Sequence, residues 1–487
     1  MSTNNNESVK LKEKNRYTKN TILKLIHWAS KLEKLRLMDL NTTFCEIILR
    51  QINYEFTEEW VEYNEEKAEI EMEESLVKYG GYVRRIMLTN SHDLPFYETL
   101  FKNCKIIYTI KIEQCPVNEV LDLVYKYYGT EIRHLTLGSP VNKEITTLAQ
   151  IPKFPKILTL RINRMNIETP CLQEILFFLN DSLKTLSLGQ LTLVEDNTIR
   201  YIENRFPELD CLDLATEAFY EEGLLALEKS IHRYKELSFG ALADITKNTA
   251  KLKLLNSKIP KLKRLKIVGS KQLIEEGIKF SQLLVGSNYG LSTISLARLN
   301  MDVEYYFTMQ RFPQLVTLTL DNCANLSIEH VTTIFQHPTL RTLSLNGNSI
   351  TDEHFSLLVR RRKMDTAPIA NLATLAIRGA YPIGFLFLSY LVMSLLNVVT
   401  LDITSTRTRS EIPVNTMMPQ LMNLNTKPLK LGAIGIKGSF IDNVILEALL
   451  IMAPDLKVIK CSDSESLKKH LSAKHLLKKD LIIFTEN

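Results

Sequence analysis

Residues 315–320 read LVTLTL and residues 340–345 read LRTLSL, so that Leu315, Leu318 and Leu320 recur as Leu340, Leu343 and Leu345. The same L-x-x-L-x-L pattern stands upstream at 183–188 (LKTLSL) and 209–214 (LDCLDL). Looser copies, in which Ile, Val, Phe or Tyr replaces Leu, extend the series both ways. Their first apolar positions are Val83, Ile107, Ile132, Ile157, Leu183, Leu209, Tyr234, Leu262, Leu291, Leu315, Leu340, Leu372, Val398, Leu431 and Leu456. Every step between neighbours is 24–29 residues except two, of 32 and 33. A sustained period of that length marks an array of stacked supersecondary units.

Each copy predicts a short strand whose alternate apolar residues point inward, followed by a turn and a helix that returns along the outside. The intervening sequence agrees. Cys171–Leu179 (CLQEILFFL) and Ile328–Phe335 (IEHVTTIF) have helical apolar spacing, and Phe206-Pro207, Phe312-Pro313 and His337-Pro338 break the helix before the next strand. The apolar run Phe385–Leu396 is too short for a membrane span of roughly 20 residues and predicts a buried helix. Residues 405–425, with RTRSEIPVNTMMPQ, predict a long loop. In 345–350 (LNGNSI), Asn348 falls three residues after the last motif leucine, where its side chain can satisfy turn backbone groups; Cys115 and Cys323 occupy the same position.

Asn or Cys at that position, with about 25 residues per repeat, resembles the ribonuclease-inhibitor-like and cysteine-containing leucine-rich-repeat families, over roughly Val83 to Cys461. The resemblance implies an α/β fold, a leucine-rich-repeat horseshoe solenoid preceded by a short N-terminal helical segment, and a protein partner. The expected organisation is a disordered polar tail at 1–19, a helical segment at 20–54, an acidic linker or helix at 55–75, a solenoid of about fifteen repeats at 76–463 and a capping segment at 464–487.

Two helices are expected in 20–54, one with Ile22, Leu23 and Ile26 and one with Leu37, Leu40, Phe44, Ile47 and Ile48. They would serve as the cap that a repeat array needs. The second stretch, 32–49 (LEKLRLMDLNTTFCEIIL), also resembles the second half of an F-box, with Leu40, Phe44, Ile47 and Ile48 at the matching positions. The family's opening Leu-Pro is absent, and Lys19-Asn20-Thr21-Ile22-Leu23 stands in its place. The resemblance implies that these four residues bind a Skp-type adaptor and that the chain is the substrate-recognition subunit of a cullin-type (SCF) ubiquitin ligase. A leucine-rich-repeat scaffold or inhibitor without any ligase connection is the alternative. Residues 55–74 hold ten glutamates, read as a solvated face or linker. Lys468, Lys469, Lys474, Lys478 and Lys479 around Leu467, Leu471, Leu476 and Leu477 predict a basic amphipathic helix capping the far end.

Composition narrows the functions. A formal charge of +5 on 487 residues, with 45% apolar and 24% charged residues, suits a large globular core and argues against nucleic acid or membrane as partner. Seven cysteines without a C-x-x-C pair read as thiols in a reducing compartment, and the lysine-rich, polar start offers no secretory signal, so a cytoplasmic or nuclear location is expected. Lys437-Gly438-Ser439 reverses the order that a phosphate-binding loop requires. His330 and His337 lack partners at metal-ligand spacing and read as surface or capping residues, and no G-x-S-x-G nucleophile motif occurs. No enzyme activity, cofactor or metal is expected; the chain should bind proteins, as a monomer within a complex.

Strand alternation directs the residues between the motif leucines to the concave face. Most are Thr or Ser, as strand propensity favours. Charges interrupt them, including Arg85, Lys111 and Glu236, and seven are the candidate partner-binding residues: Arg161, Asp213, Arg264, Lys266, Asp321, Arg378 and Asp402. Their mixed sign suits a protein surface better than a polyanion.

Overall fold

The computed structural model describes residues 84–89, 94–113, 115–138, 151–165, 167, 169–189, 196–214, 230–239, 261–269, 290–301, 311–364, 371–379, 384–404, 414–424, 427–436, 443–462, 464–473 and 481–485. They belong to two compact units, Met1–Ala218 and Phe219–Asn487. The candidate adaptor-binding residues Leu40, Phe44, Ile47 and Ile48 lie outside the described residues, as do the acidic stretch 55–74 and Lys437-Gly438-Ser439.

In the first unit, strands and helices alternate: β1 (Arg85–Thr89), α1 (Leu94–Asn103), β2 (Thr109–Glu113), α2 (Val117–Tyr128), β3 (His134–Gly138), a 3-10 turn (Ile151–Lys153), β4 (Thr159–Asn163), α3 (Thr169–Phe178), β5 (Thr185–Ser187), α4 (Asp196–Arg205) and β6 (Cys211–Leu214). Each strand pairs in parallel with the next. The register places one motif residue of every repeat in a single row, Ile86, Ile110, Leu135, Leu160, Leu186 and Leu212, each 3% exposed or less. Burying such a side chain stabilises by about 2 kcal/mol, and here each is covered by its counterparts one repeat away.

The second unit continues the plan with β7 (Glu236–Phe239), β8 (Arg264–Val268), β9 (Thr293–Ala297), β10 (Thr317–Asp321), α5 (Ile328–Phe335), β11 (Thr342–Ser344), a 3-10 turn (Asp352–Phe355), α6 (Ser356–Lys363), β12 (Thr374–Ala376), α7 (Phe385–Ser394), β13 (Thr400–Asp402), α8 (Val414–Leu424), β14 (Ala433–Gly435), α9 (Asn443–Met452), β15 (Val458–Cys461), α10 (Ser464–Ala473) and β16 (Ile482–Thr485). These strands too run parallel in chain order, and Leu237, Leu265, Ile294, Leu318, Leu343, Leu375, Leu401, Ile434, Ile459 and Ile483 form the buried row. Behind the sheet, aromatic rings knit successive repeats: Phe335 meets Phe355 edge to face at 5.9 Å, and Phe355 meets Phe387 at 5.0 Å. Each unit is thus an α/β leucine-rich-repeat solenoid. The buried helix expected from Phe385 onward is α7.

Where the strands stop, side chains take over the backbone hydrogen bonds. Asn348, 1% exposed, accepts from Cys323 N at 2.7 Å and donates to Leu320 O at 2.6 Å, both on the preceding repeat. This is the turn role its spacing predicts. At the equivalent position, Cys115 reaches Glu113 O at 3.1 Å and Tyr97 Oη at 3.2 Å. The residue just before this position, two past the last motif residue, has a left-handed backbone in Arg164 (φ 53°), Arg298 (φ 54°), Asn322 (φ 53°), Gly347 (φ 66°) and Gly379 (φ 66°). At Gly347 a Cβ would sit 2.1 Å from Asn322 Oδ1, so both the φ and the neighbouring repeat call for glycine. Asp352 reaches forward to cap the next repeat's helix, accepting from Gly384 N (2.8 Å), Leu386 N (2.9 Å) and Phe387 N (2.8 Å) at the start of α7.

Three expectations need correction. The stretch 405–425 is not all loop: 414–424 forms α8 even though it contains Pro419, because Met417 and Leu421 are buried at helical spacing. Of the expected basic helix, Ser464–Ala473 forms α10, whereas Lys474, Leu476, Leu477, Lys478 and Lys479 lie outside the described residues; further on, Ile482–Thr485 adds β16, a strand beyond the fifteen motif copies. His337 is not a surface residue. It is 3% exposed and donates from Nε2 to Phe312 O at 3.0 Å, one repeat back. His330 does cap, its Nδ1 accepting from Ser327 N at 3.0 Å while Ser327 Oγ accepts from His330 N, although it too is buried.

Leu318→Asp places an unpaired carboxylate in the buried row and is expected to cost on the order of 4 kcal/mol. Asn348→Ala strands two buried backbone groups and is expected to cost about 2–3 kcal/mol. Urea melts that leave the midpoint of the second unit unchanged in either variant would contradict these inward assignments.

His337 adds a pH dependence. Burial holds its imidazole below the ordinary value, and the bond to Phe312 O, which works the other way, is the smaller effect. With its folded pKa below the unfolded one, the contribution to stability is complete above about pH 6.5 and is lost as pH falls through the folded value. The wild-type urea midpoint should therefore drop between pH 7.5 and 5.5, and His337→Gln should shrink that drop. An equal drop in both proteins would count against it.

Candidate functional site on the open face of the sheet

Alternation leaves one face of each sheet partly exposed, since residues flanking the buried row point away from the helices. In the first unit two register rows make up this face. One runs Arg85, Thr109, His134, Thr159, Thr185, Cys211; the other runs Lys111, Thr136, Arg161, Ser187, Asp213. Lys111 Nζ pairs with Glu113 at 2.8 Å, and Ser187 Oγ donates to Asp213 at 3.0 Å. Arg161 is exposed and forms no ion pair among the described residues. Thr159 Oγ1 lies 3.0 Å from His134 Nδ1. Burial lowers the pKa of His134, and the charges of Arg85, Arg133 and Arg161 push it the same way.

The second unit treats its charges differently. Glu236 and Arg264 are register partners on β7 and β8 and form an ion pair at 2.9 Å. Arg378 holds Asp402 through Nε (2.8 Å) and Nη2 (2.5 Å) to Oδ2, while Thr404 N donates to Oδ1 at 3.0 Å. Burial alone would raise the Asp402 carboxyl, but the bonds from Arg378 and Thr404 outweigh it and hold the group below its usual range. Asp321 accepts from Ser344 Oγ at 3.1 Å, and Asn346 links Ser344 to Arg378, donating to Ser344 Oγ at 2.7 Å and accepting from Arg378 N at 3.1 Å. Lys266 is exposed, with no ion pair among the described residues.

The seven candidate residues do lie on the open faces, Arg161 and Asp213 in the first unit and the other five in the second. They do not form one site. Five brace neighbouring repeats, and Arg161 and Lys266 remain as exposed cations. The sequence reading missed the linking roles of Asn346 and Thr404, whose position at strand ends was the available signal. It also missed Phe177 and Phe178, 60% and 56% exposed at the end of α3 with ring centroids 5.0 Å apart. Their apolar type alone reads as core.

Among the described residues no group of three or more His, Cys, Asp or Glu side chains is arranged to hold a metal ion. Burial pushes the Cys104 thiol up to about 12 and Cys323 to about 11, which makes both poor nucleophiles. No helix among the described residues is long and apolar enough to cross a membrane.

No protein-family model and no curated protein sequence matches the chain. Many solved structures are similar to it, two of which are a yeast complex and a bacterial internalin. A crystal structure of a Rad7 and Elc1 complex in yeast matches over 86% of this chain and 94% of that one, at 16% identity and a TM-score of 0.45. An internalin, InlF, from Listeria monocytogenes matches over 80% of this chain and 88% of that one, at 13% identity and a TM-score of 0.32. The leucine-rich-repeat assignment itself rests on the period, register and turn geometry described above.

Proposed function

We propose that the chain is a non-catalytic binding protein, and that it is the substrate-recognition subunit of a cullin-type ubiquitin ligase. The observation behind the first half is the open face of each sheet: consecutive parallel strands bury one face under helices and leave the other with half-exposed threonines, serines and charges. A rigid, polar, extended surface of this kind suits a protein partner, because many small groups spread over several strands give complementarity over a large area. The second half is supported by the F-box-like pattern of Leu40, Phe44, Ile47 and Ile48, which would hold a Skp-type adaptor while the array holds the substrate.

Phe44 separates a ligase subunit from a leucine-rich-repeat scaffold or inhibitor. Positions four apart share a helix face, so Leu40, Phe44 and Ile48 would make one contact. With the full chain tagged and recovered from its native cell, the adaptor and a cullin are expected to co-purify. Phe44→Ala should then reduce adaptor recovery at least tenfold with little change in melting, as for a docking aromatic. A wild-type chain that never recovers an adaptor, together with a Phe44→Ala chain that melts early, would assign the segment to capping and remove the ligase. Recovery of a stable partner without the adaptor would still support binding alone.

A further inference from the structure

Asn346-Gly347 is the only Asn-Gly step in the chain. Such a step can modify itself, because glycine has no side chain to keep its amide nitrogen away from the carboxamide of the residue before it. In that reaction the Gly347 nitrogen attacks Asn346 Cγ. A nitrogen–carbon bond forms and closes a five-membered imide, while the bond from Cγ to Nδ2 breaks and ammonia leaves, carrying the proton from the glycine amide. Water then opens the imide at either carbonyl. The product is aspartate or, where the chain now runs through the former side chain, isoaspartate. Nothing is oxidised or reduced, and water is the only co-reactant. Gly347 is exposed and Asn346 half-buried, so water reaches the step.

In the packed array both reacting groups are tied to the next repeat through the backbone of one residue. Gly347 N donates to Arg378 O at 2.7 Å, which holds the proton that has to leave. Asn346 Oδ1 accepts from Arg378 N at 3.1 Å and Nδ2 donates to Ser344 Oγ at 2.7 Å, so the carboxamide cannot turn over the glycine nitrogen. Ring closure therefore requires the strand ends of β11 and β12 to part, a local opening. The product would loosen the opposite seam, toward β10. Ser344 Oγ gives its one proton to Asp321 at 3.1 Å while accepting from Asn346. A carboxylate at 346 donates nothing to Ser344 and adds a second negative charge near Asp321. Isoaspartate also lengthens the backbone just before Asn348, whose side chain must reach Cys323 N and Leu320 O. We propose that Asn346-Gly347 is a self-modification site, kept as asparagine by the Arg378 backbone in the packed array and converted to aspartate or isoaspartate, with loss of ammonia, when β11 and β12 separate. One opening at this seam is thereby recorded as a permanent weakening of the next.

The full chain is incubated in heavy-oxygen water at mildly alkaline pH, folded or in guanidinium chloride, and peptide mass mapping follows conversion at residue 346. The unfolded chain should convert at least tenfold faster than the folded one. Arg378→Pro removes the amide that holds Asn346 Oδ1 and should speed conversion in the folded protein at least fivefold. Arg378→Ala keeps both backbone groups and should stay within twofold of wild type. Ser344→Ala, which frees only Nδ2, should convert at a rate between those of wild type and Arg378→Pro. Asn346→Asp, the product made directly, should lower the urea midpoint of the second unit. Equal rates for the folded and unfolded wild type, or no conversion in the unfolded chain, would overturn the proposal. So would an Arg378→Ala chain that converts as fast as Arg378→Pro, or an unchanged midpoint for Asn346→Asp. Should Arg378→Pro unfold the unit, Ser344→Ala decides alone, and a wild-type rate in that variant rejects the clamp.

Discussion

No repeat in this chain can cover its own apolar row, and everything else follows from that constraint. Leu318 is shielded by Ile294 on one side and Leu343 on the other, each a register partner from another repeat. The strands' amide and carbonyl groups are satisfied in the same way, by the strand one repeat earlier or later. An isolated repeat would therefore expose its leucines and leave its strand unpaired. Within each unit stability accumulates from neighbour contacts, and a defect in one row weakens the repeats on both sides.

The same constraint explains why so many polar residues have structural work. Between strand and helix the chain has no ladder to join, yet its backbone groups are buried and must be paired. Asn348, His337 and Asp352 each place a side chain on the backbone of an adjoining repeat. Thr339 does likewise, donating to Leu315 O at 2.7 Å, and Asn180 donates to Pro155 O at 2.7 Å. These bonds fix how one repeat sits on the next. That spacing, in turn, sets where the face residues of successive strands fall.

The fold was legible because its determinants are local and periodic. The leucine spacing gave the strands, helical spacing gave α3 and α5, and the turn position gave Asn348. The features that escaped were those in which tertiary packing overrode a local signal. Pro419 reads as a breaker but sits in α8, where burial of Met417 and Leu421 outweighs the lost amide bond. The strand β16 lacks the leucines of the motif and exists because β15 offers it an edge. On the face, alternation correctly placed Arg378 and Asp402, but their ion pair was invisible: it depends on side chains in successive repeats meeting at one register.

That difference between exposure and availability bears on where binding specificity lies. In the second unit a ligand facing Arg378 and Asp402 meets a pair already neutralised, and extracting either partner would leave the other uncompensated. Glu236 and Arg264 offer the same limited opportunity, though their exposure makes the pair weaker. The threonines give shape and hydrogen bonds but little selectivity. Recognition of charge then falls to groups that the repeats have not drawn into bracing one another, such as the exposed Arg161 on β4 and Lys266 on β8 among the described residues. An array whose repeats are nearly alike can thus acquire a specific site through a few substitutions on adjacent strands, because the buried rows beneath them are untouched by the change.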